Sequence, residues 1–159
     1  SAISPEYAPF ADVAPPSVVR GWKIGGYPLF GGLTRDDFRK SFTKMVDLVG
    51  KLHQAGVPIV AGTDGYGLEL VRELELYQQA GLSNAEALQT ATIIPARMTG
   101  MDDRAGSIAV GKTADIVLVD GDVSAALGNL RHVHTVFLDG YRLDGAALRQ
   151  ASGLNGMPK

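Results

Sequence analysis

The sequence predicts an α/β unit followed by a smaller β-rich segment. Three observations carry that expectation. A helical apolar period over residues 34–56 runs straight into the apolar stretch Val57–Ala61. Two more helix signals follow it, each with a start or stop residue of its own. Beyond residue 103 the pattern changes to short β-branched runs separated by Gly and Asp. Helix, strand, helix, helix is the order of an α/β unit, and the later runs read as strands joined by turns.

Residues 1–33 carry Pro5, Pro9, Pro15 and Pro16, then Gly25-Gly26 and Gly31-Gly32. No period persists there, so an irregular stretch with at most a short strand is expected. Irregular stretches of that length are uncommon inside a compact domain, which suggests a functional loop or a segment taken from a larger context. Thr34 with Asp37 three residues on forms a capping-box-like start, and Asp36 and Asp37 favour the positive end of the helix dipole. Phe38, Phe42, Met45, Val46, Val49 and Leu52 then recur at helical spacing until Gly56 stops the helix.

Val57-Pro58-Ile59-Val60-Ala61 is apolar on both faces, as a strand buried on both sides of a parallel sheet would be. Pro58 is acceptable near a strand's beginning. The strand is expected to end in Gly62-Thr63-Asp64-Gly65. A second helix spans about Glu69 to Ala80 and stops at Gly81, and Ser83 with Glu86 opens a third. Pro95 should break that third helix and leave Pro95–Thr99 as a separate turn before Gly100. Gly106–Ile108, Ala114–Asp120 and Val133–Leu138 read as short strands. A last helix is expected at Gly145–Ala151, and residues 153–159 as a frayed tail.

The 159 residues fit one ordinary domain, and 45% hydrophobic with 20% charged residues is the profile of a chain with a packed core. A net charge of −2 argues against a nucleic-acid partner, which usually meets a basic face. The absence of cysteine removes disulfides, thiolate metal sites and thiol nucleophiles. No apolar run reaches the ~18 residues that span a bilayer, so no membrane partner is expected. The N-terminus shows no basic leader or apolar signal core, and a cytoplasmic location is expected.

Asp64 is the most informative residue. A carboxylate just past a buried parallel strand stands at the edge where α/β folds place their chemistry. Gly62 and Gly65 let the chain turn there and leave room beside it. Such an aspartate serves as a metal ligand or as a general base for water, or it merely caps the next helix. Gly62, Gly65 and Gly67 also sit between strand and helix, where a dinucleotide fingerprint belongs. Their spacing differs from that motif, and Asp64 would oppose a pyrophosphate. His132-x-His134 resembles a strand-borne ligand pair, but two ligands are too few for a typical zinc site, and exposed histidines are the blander reading. His53 falls in the last turn of the first helix, where its charge suits the dipole. Neither a nucleophile elbow nor a Walker loop occurs.

Taken together, three blocks resemble the end of an amidohydrolase-superfamily enzyme of the imidazolonepropionase and Xaa-Pro-dipeptidase type. They are Val57–Asp64; Glu73–Tyr77 with Ala80–Leu88, Ala91-Thr92 and Pro95-Ala96; and Gly106–Gly121 followed by Val133, Val136 and Gly140. The match runs over about residues 36–145 and keeps order and spacing. The resemblance implies the carboxy-terminal part of a (β/α)8 TIM-type barrel over residues 1–103, then part of a small β-sandwich over 104–152. It implies hydrolysis of amide, cyclic amide or dipeptide-like C–N bonds by a metal-activated water, with zinc the expected ion. It makes Asp64 the catalytic and metal-binding aspartate and places Gly65 and Tyr66 beside the substrate.

The sequence departs from the family in one respect. Family members carry a His-x-His on the first barrel strand, a carboxylated Lys or Glu and two more histidines, all upstream of the aspartate; here only His53 lies upstream. A full barrel needs about 250 residues. The expectation is therefore a C-terminal fragment that binds no metal alone, is inactive alone, and forms a homo-oligomer or pairs with the missing N-terminal part. Two other readings remain open: a non-catalytic oligomerising module on the same scaffold, and a nucleotide-binding α/β domain.

Overall fold

The computed structural model describes residues 3, 5, 7–24, 28–64 and 68–157, with the backbone alone for Leu68. It is a mixed α/β structure with one three-stranded sheet. The helices are α1 (Pro16–Ile24), α2 (Arg35–Gln54), α3 (Leu68–Gln79), α4 (Asn84–Thr90), α5 (Ile93–Met98) and α6 (Gly145–Ala151). The strands are β1 (Ile116–Val119), β2 (Val133–Leu138) and β3 (Tyr141–Asp144).

The first correction is α1, a nine-residue helix inside the stretch expected to be irregular. Pro16 stands at its first position, where a fixed φ and a missing N–H suit a helix start. The helix-breaking residue was here a helix-starting one.

Both expected capping boxes form. The Thr34 hydroxyl accepts from the Asp37 amide at 3.2 Å while the Thr34 amide donates to the Asp37 carboxylate at 2.9 Å. The Ser83 amide donates to Glu86 at 2.8 Å, and the Glu86 amide donates back to the Ser83 hydroxyl at 3.2 Å. The break foreseen near Pro95 falls at Ala91–Thr92, so Pro95 sits in the first turn of α5, where an amide would have no helical partner anyway.

The core lies where α3, α4 and the 3-10 turn Leu127–Arg131 meet. Leu74, Tyr77, Leu82, Ala87 and Leu127 are buried together there, with Ile59 and Ala61 packed against them. α2 reaches this core at Gly50. A Cβ on that glycine would lie 2.2 Å from the Ala80 carbonyl oxygen, so only glycine lets the two backbones touch. Val49 packs on the same core, whereas Phe42, Met45, Leu48 and Leu52 are exposed.

The sheet runs in the order β1-β2-β3, antiparallel throughout, with a register irregularity at Leu118/Val119. β3 was absent from the expectation, although its signal is present. Leu138-Asp139-Gly140-Tyr141 puts Asp139 and Gly140 at φ 49 and 79, and Asp-Gly is a strong hairpin pair because both positions need positive φ. The Asp139 amide donates to the Asp115 carboxylate at 2.7 Å, fastening the turn to the end of β1. Residues 106–108, expected as a strand, form a bend instead. Gly106 (φ 81) presses so closely on Thr92, Ile93 and Ala96 that no side chain fits, and Ile108 is left exposed. The Lys112 ammonium closes this loop by donating to the Asp102 and Ala105 carbonyls and the Ser107 hydroxyl.

Candidate functional site

The site is built on residues 57–63, which run from the end of α2 toward α3. They carry no regular secondary structure, and among the described residues they pair with no strand. The strand expected over Val57–Ala61 therefore finds no ladder partner among the described residues. Ile59 and Ala61, two apart on one face, pack on the helical core, whereas Val57 and Val60 are exposed. Over residues 58–61 side-chain alternation survives without a ladder because the helices alone select one face.

Three contacts secure the end of this segment. The Ala61 amide donates to the Thr90 carbonyl at 2.9 Å. The Gly62 amide donates to Glu73 Oε2 at 2.9 Å. The Tyr77 hydroxyl donates to Glu73 Oε1 at 2.6 Å and lies 3.4 Å from the Val60 carbonyl oxygen. Glu73 and Tyr77 are one helical turn apart on α3, so one face of that helix supplies both groups. Burial, and then the Glu73 carboxylate, push the Tyr77 phenol well above its ordinary range, which keeps it a hydroxyl donor.

Asp64 follows this clasp. It is exposed, and its φ of 51 puts it in the left-handed region, which Asp tolerates better than most residues. It stands four residues before Leu68, where the described part of α3 begins. Gly65 and Tyr66, the other expected site residues, lie outside the described residues, as does Gly67.

The histidines lie elsewhere. His53 Nε2 is 3.5 Å from Glu86 Oε1, joining the end of α2 to the start of α4. His132 is the C-cap of the 3-10 turn and precedes β2, so of the two histidines only His134 lies on the strand. His134 Nδ1 lies 2.8 Å from the Thr135 hydroxyl. Among the described residues no three His, Asp or Glu side chains converge. A catalytic zinc takes at least three protein ligands, and Asp64 offers one carboxylate, so the described side chains do not fit the ion the resemblance implies.

Glu73 and Tyr77 carried no role in the sequence reading. Their legible signal was the i, i+4 acid–phenol pair on the helix after the Gly-rich turn.

A family model, the amidohydrolase family, matches residues 39–143, more than half of the chain. The chain belongs to the amidohydrolase family. Among solved structures, this amidohydrolase chain is similar to a Xaa-Pro dipeptidase with methionine in its active site (29% identity, TM-score 0.61, covering 65% of this chain and 26% of that one). It is similar to a Bifidobacterium longum protein assigned to the prolidases (34% identity, TM-score 0.61, 70% and 30%). It is also similar to a prolidase complexed with N-methylphosphonate-L-proline (27% identity, TM-score 0.59, 71% and 30%). The chain thus spans between a quarter and a third of the length of these structures. No curated protein matches it. Among the described residues no helix is long and apolar enough to cross a membrane.

Proposed function

We propose that this amidohydrolase chain is the carboxy-terminal portion of a hydrolase of C–N bonds, with Asp64 as its reacting carboxylate. The supporting observation is the placement of Asp64, in a left-handed turn directly after a segment that the helical core grips on one face only. In this reading residues 57–63 are a barrel strand. Residues 1–103 belong to a (β/α)8 barrel, residues 104–152 to a small β-sandwich, and residues 153–159 to a tail. The exposed faces of Val57, Val60 and α2 are then covered by the remaining barrel, supplied by the N-terminal portion or by further copies.

Asp64 acts as general base and then general acid. It takes a proton from the water that attacks the carbonyl carbon, and it returns that proton to the leaving nitrogen as the C–N bond breaks. Gly65 and Tyr66 border the substrate. The substrate class is a dipeptide or a related amide, which the ligands of the similar prolidase and dipeptidase support. A divalent metal, zinc first, belongs to this reading as a cofactor of the intact enzyme. The described side chains do not make its site, and the proton transfers assigned to Asp64 stand without it.

The test compares the full-length gene product with its D64N variant on Xaa-Pro dipeptides and N-acyl amino acids. Loss of an acid–base group should lower kcat about 10²–10⁴-fold. A D64N enzyme within tenfold of wild type would overturn the assignment. Tight stoichiometric zinc with turnover by the 159-residue chain would overturn its expected inactivity.

A second reading has a specific observation in its favour: the open Phe42, Met45 and Leu48 face suits an assembly module without catalysis. It predicts a stable homo-oligomer that D64N leaves intact. The nucleotide-binding reading loses support, because the Gly62 amide a phosphate would need already donates to Glu73.

A further inference from the structure

Among the described residues, the segment before Asp64 belongs to no sheet, and Asp64 itself adopts a left-handed conformation that aspartate tolerates. The last amide known to be bonded before Asp64 is that of Gly62, and its acceptor is the Glu73 carboxylate. The other Glu73 oxygen takes the Tyr77 hydroxyl, which in turn lies beside the Val60 carbonyl. Tyr77 is buried in the core, and its phenol stays protonated. One half-buried carboxylate therefore grips the segment directly at Gly62 and, through a core-anchored ring, steadies it at Val60.

We propose that Glu73 is a positioning residue, which fixes the backbone of residues 60–62 from α3 and thereby sets the direction in which Asp64 presents its carboxylate. Two features separate this from ordinary helix-to-loop packing. The acceptor is charged, and hydrogen bonds to charged groups are the stronger kind. One of its oxygens takes the Gly62 amide and the other takes the Tyr77 hydroxyl, which lies beside the Val60 carbonyl. Isosteric glutamine keeps the packing but replaces the charged acceptor with a neutral one, so the Gly62 amide loses its charge-assisted bond. The importance of this role rests on Asp64 being the reacting group, whereas the clasp itself does not.

The experiment is NMR on the isotopically labelled 159-residue chain, wild type against E73Q. The expected result has two parts. Gly62 amide hydrogen exchange should accelerate by at least about tenfold, the lower end for a hydrogen bond to a charged acceptor, while the Ala87 amide in the core stays as protected as in wild type. The φ-dependent HN–Hα coupling of Asp64 should move toward a conformational average. Unchanged Gly62 exchange would overturn the clasp. Released Gly62 with an unchanged Asp64 coupling would overturn the positioning role.

If E73Q fails to fold, the wild-type chain carries the test. The Gly62 amide should exchange at least about tenfold more slowly than its intrinsic rate, and an unprotected Gly62 amide would overturn the proposal. Failure of the hydrolase reading would appear in D64N turnover and would leave these spectra untouched.

Discussion

Substituting Glu75 should cost this protein about 2 kcal/mol, and the reason is a pair that ties the helical core to the β-rich segment. Glu75 on α3 accepts from the Arg131 guanidinium across 56 positions of chain, and from Arg72 at 3.4 Å. The Arg131 and Glu75 side chains are 13% and 20% exposed. A fully buried pair costs roughly 3–5 kcal/mol when one member is removed, and an exposed pair is worth roughly 0.2–1. This pair lies between those limits. Among the described residues the buried Arg131 Nε already has no partner, so E75Q would strand more of that guanidinium.

The assay is a double-mutant cycle of E75Q, R131M and the double variant, followed by urea and thermal unfolding. Each single change should lower the melting midpoint by about 4–8 °C for a chain of this size. The double variant should recover part of the sum, with a coupling of about 1–2 kcal/mol. A coupling under about 0.3 kcal/mol would refute the argument, because it would mean water screens the pair as it does on an open surface.

The same carboxylate makes a pH prediction. Burial pushes the Glu75 carboxyl up, but Arg131 and then Arg72 outweigh it and hold it below the ordinary value of 4.5. A carboxyl lowered in the folded state stabilises fully above its unfolded value and loses that contribution as pH falls through the folded one. The stability gap between wild type and E75Q should therefore be level above pH 4.5 and shrink below it, and a gap that widens on acidification would contradict the assignment. G50A should destabilise by roughly 1–3 kcal/mol, since its Cβ would meet the Ala80 carbonyl at 2.2 Å. In an exposed helix the same change gains about 1 kcal/mol, so urea unfolding that finds G50A at least as stable as wild type would show that α2 does not pack on α3 there.

Local chemistry was legible in the sequence. Thr34 with Asp37 and Ser83 with Glu86 state two helix starts outright, because the groups that satisfy each other lie three residues apart. The α2 period, the Val133–Leu138 strand and the α6 helix followed from the same short-range logic, and the three family blocks carried the recognition. Two local signals were present and went unread: Pro16 as a helix start, and Asp139-Gly140 as a hairpin turn.

What remained needed three dimensions. The apolar run Val57–Ala61 predicts a strand, but not that helices meet only the Ile59 and Ala61 side. Nothing near Asp64 in the chain announces that Glu73 and Tyr77, on the following helix, secure the turn before it. Nor does any spacing foretell that Glu75 faces Arg131. The sequence by itself determined caps, periods and the candidate carboxylate, because those depend on neighbours a few residues apart. Tertiary structure decided which face is buried and which distant side chains meet, because burial and long-range hydrogen bonds exist only once the chain has folded back on itself.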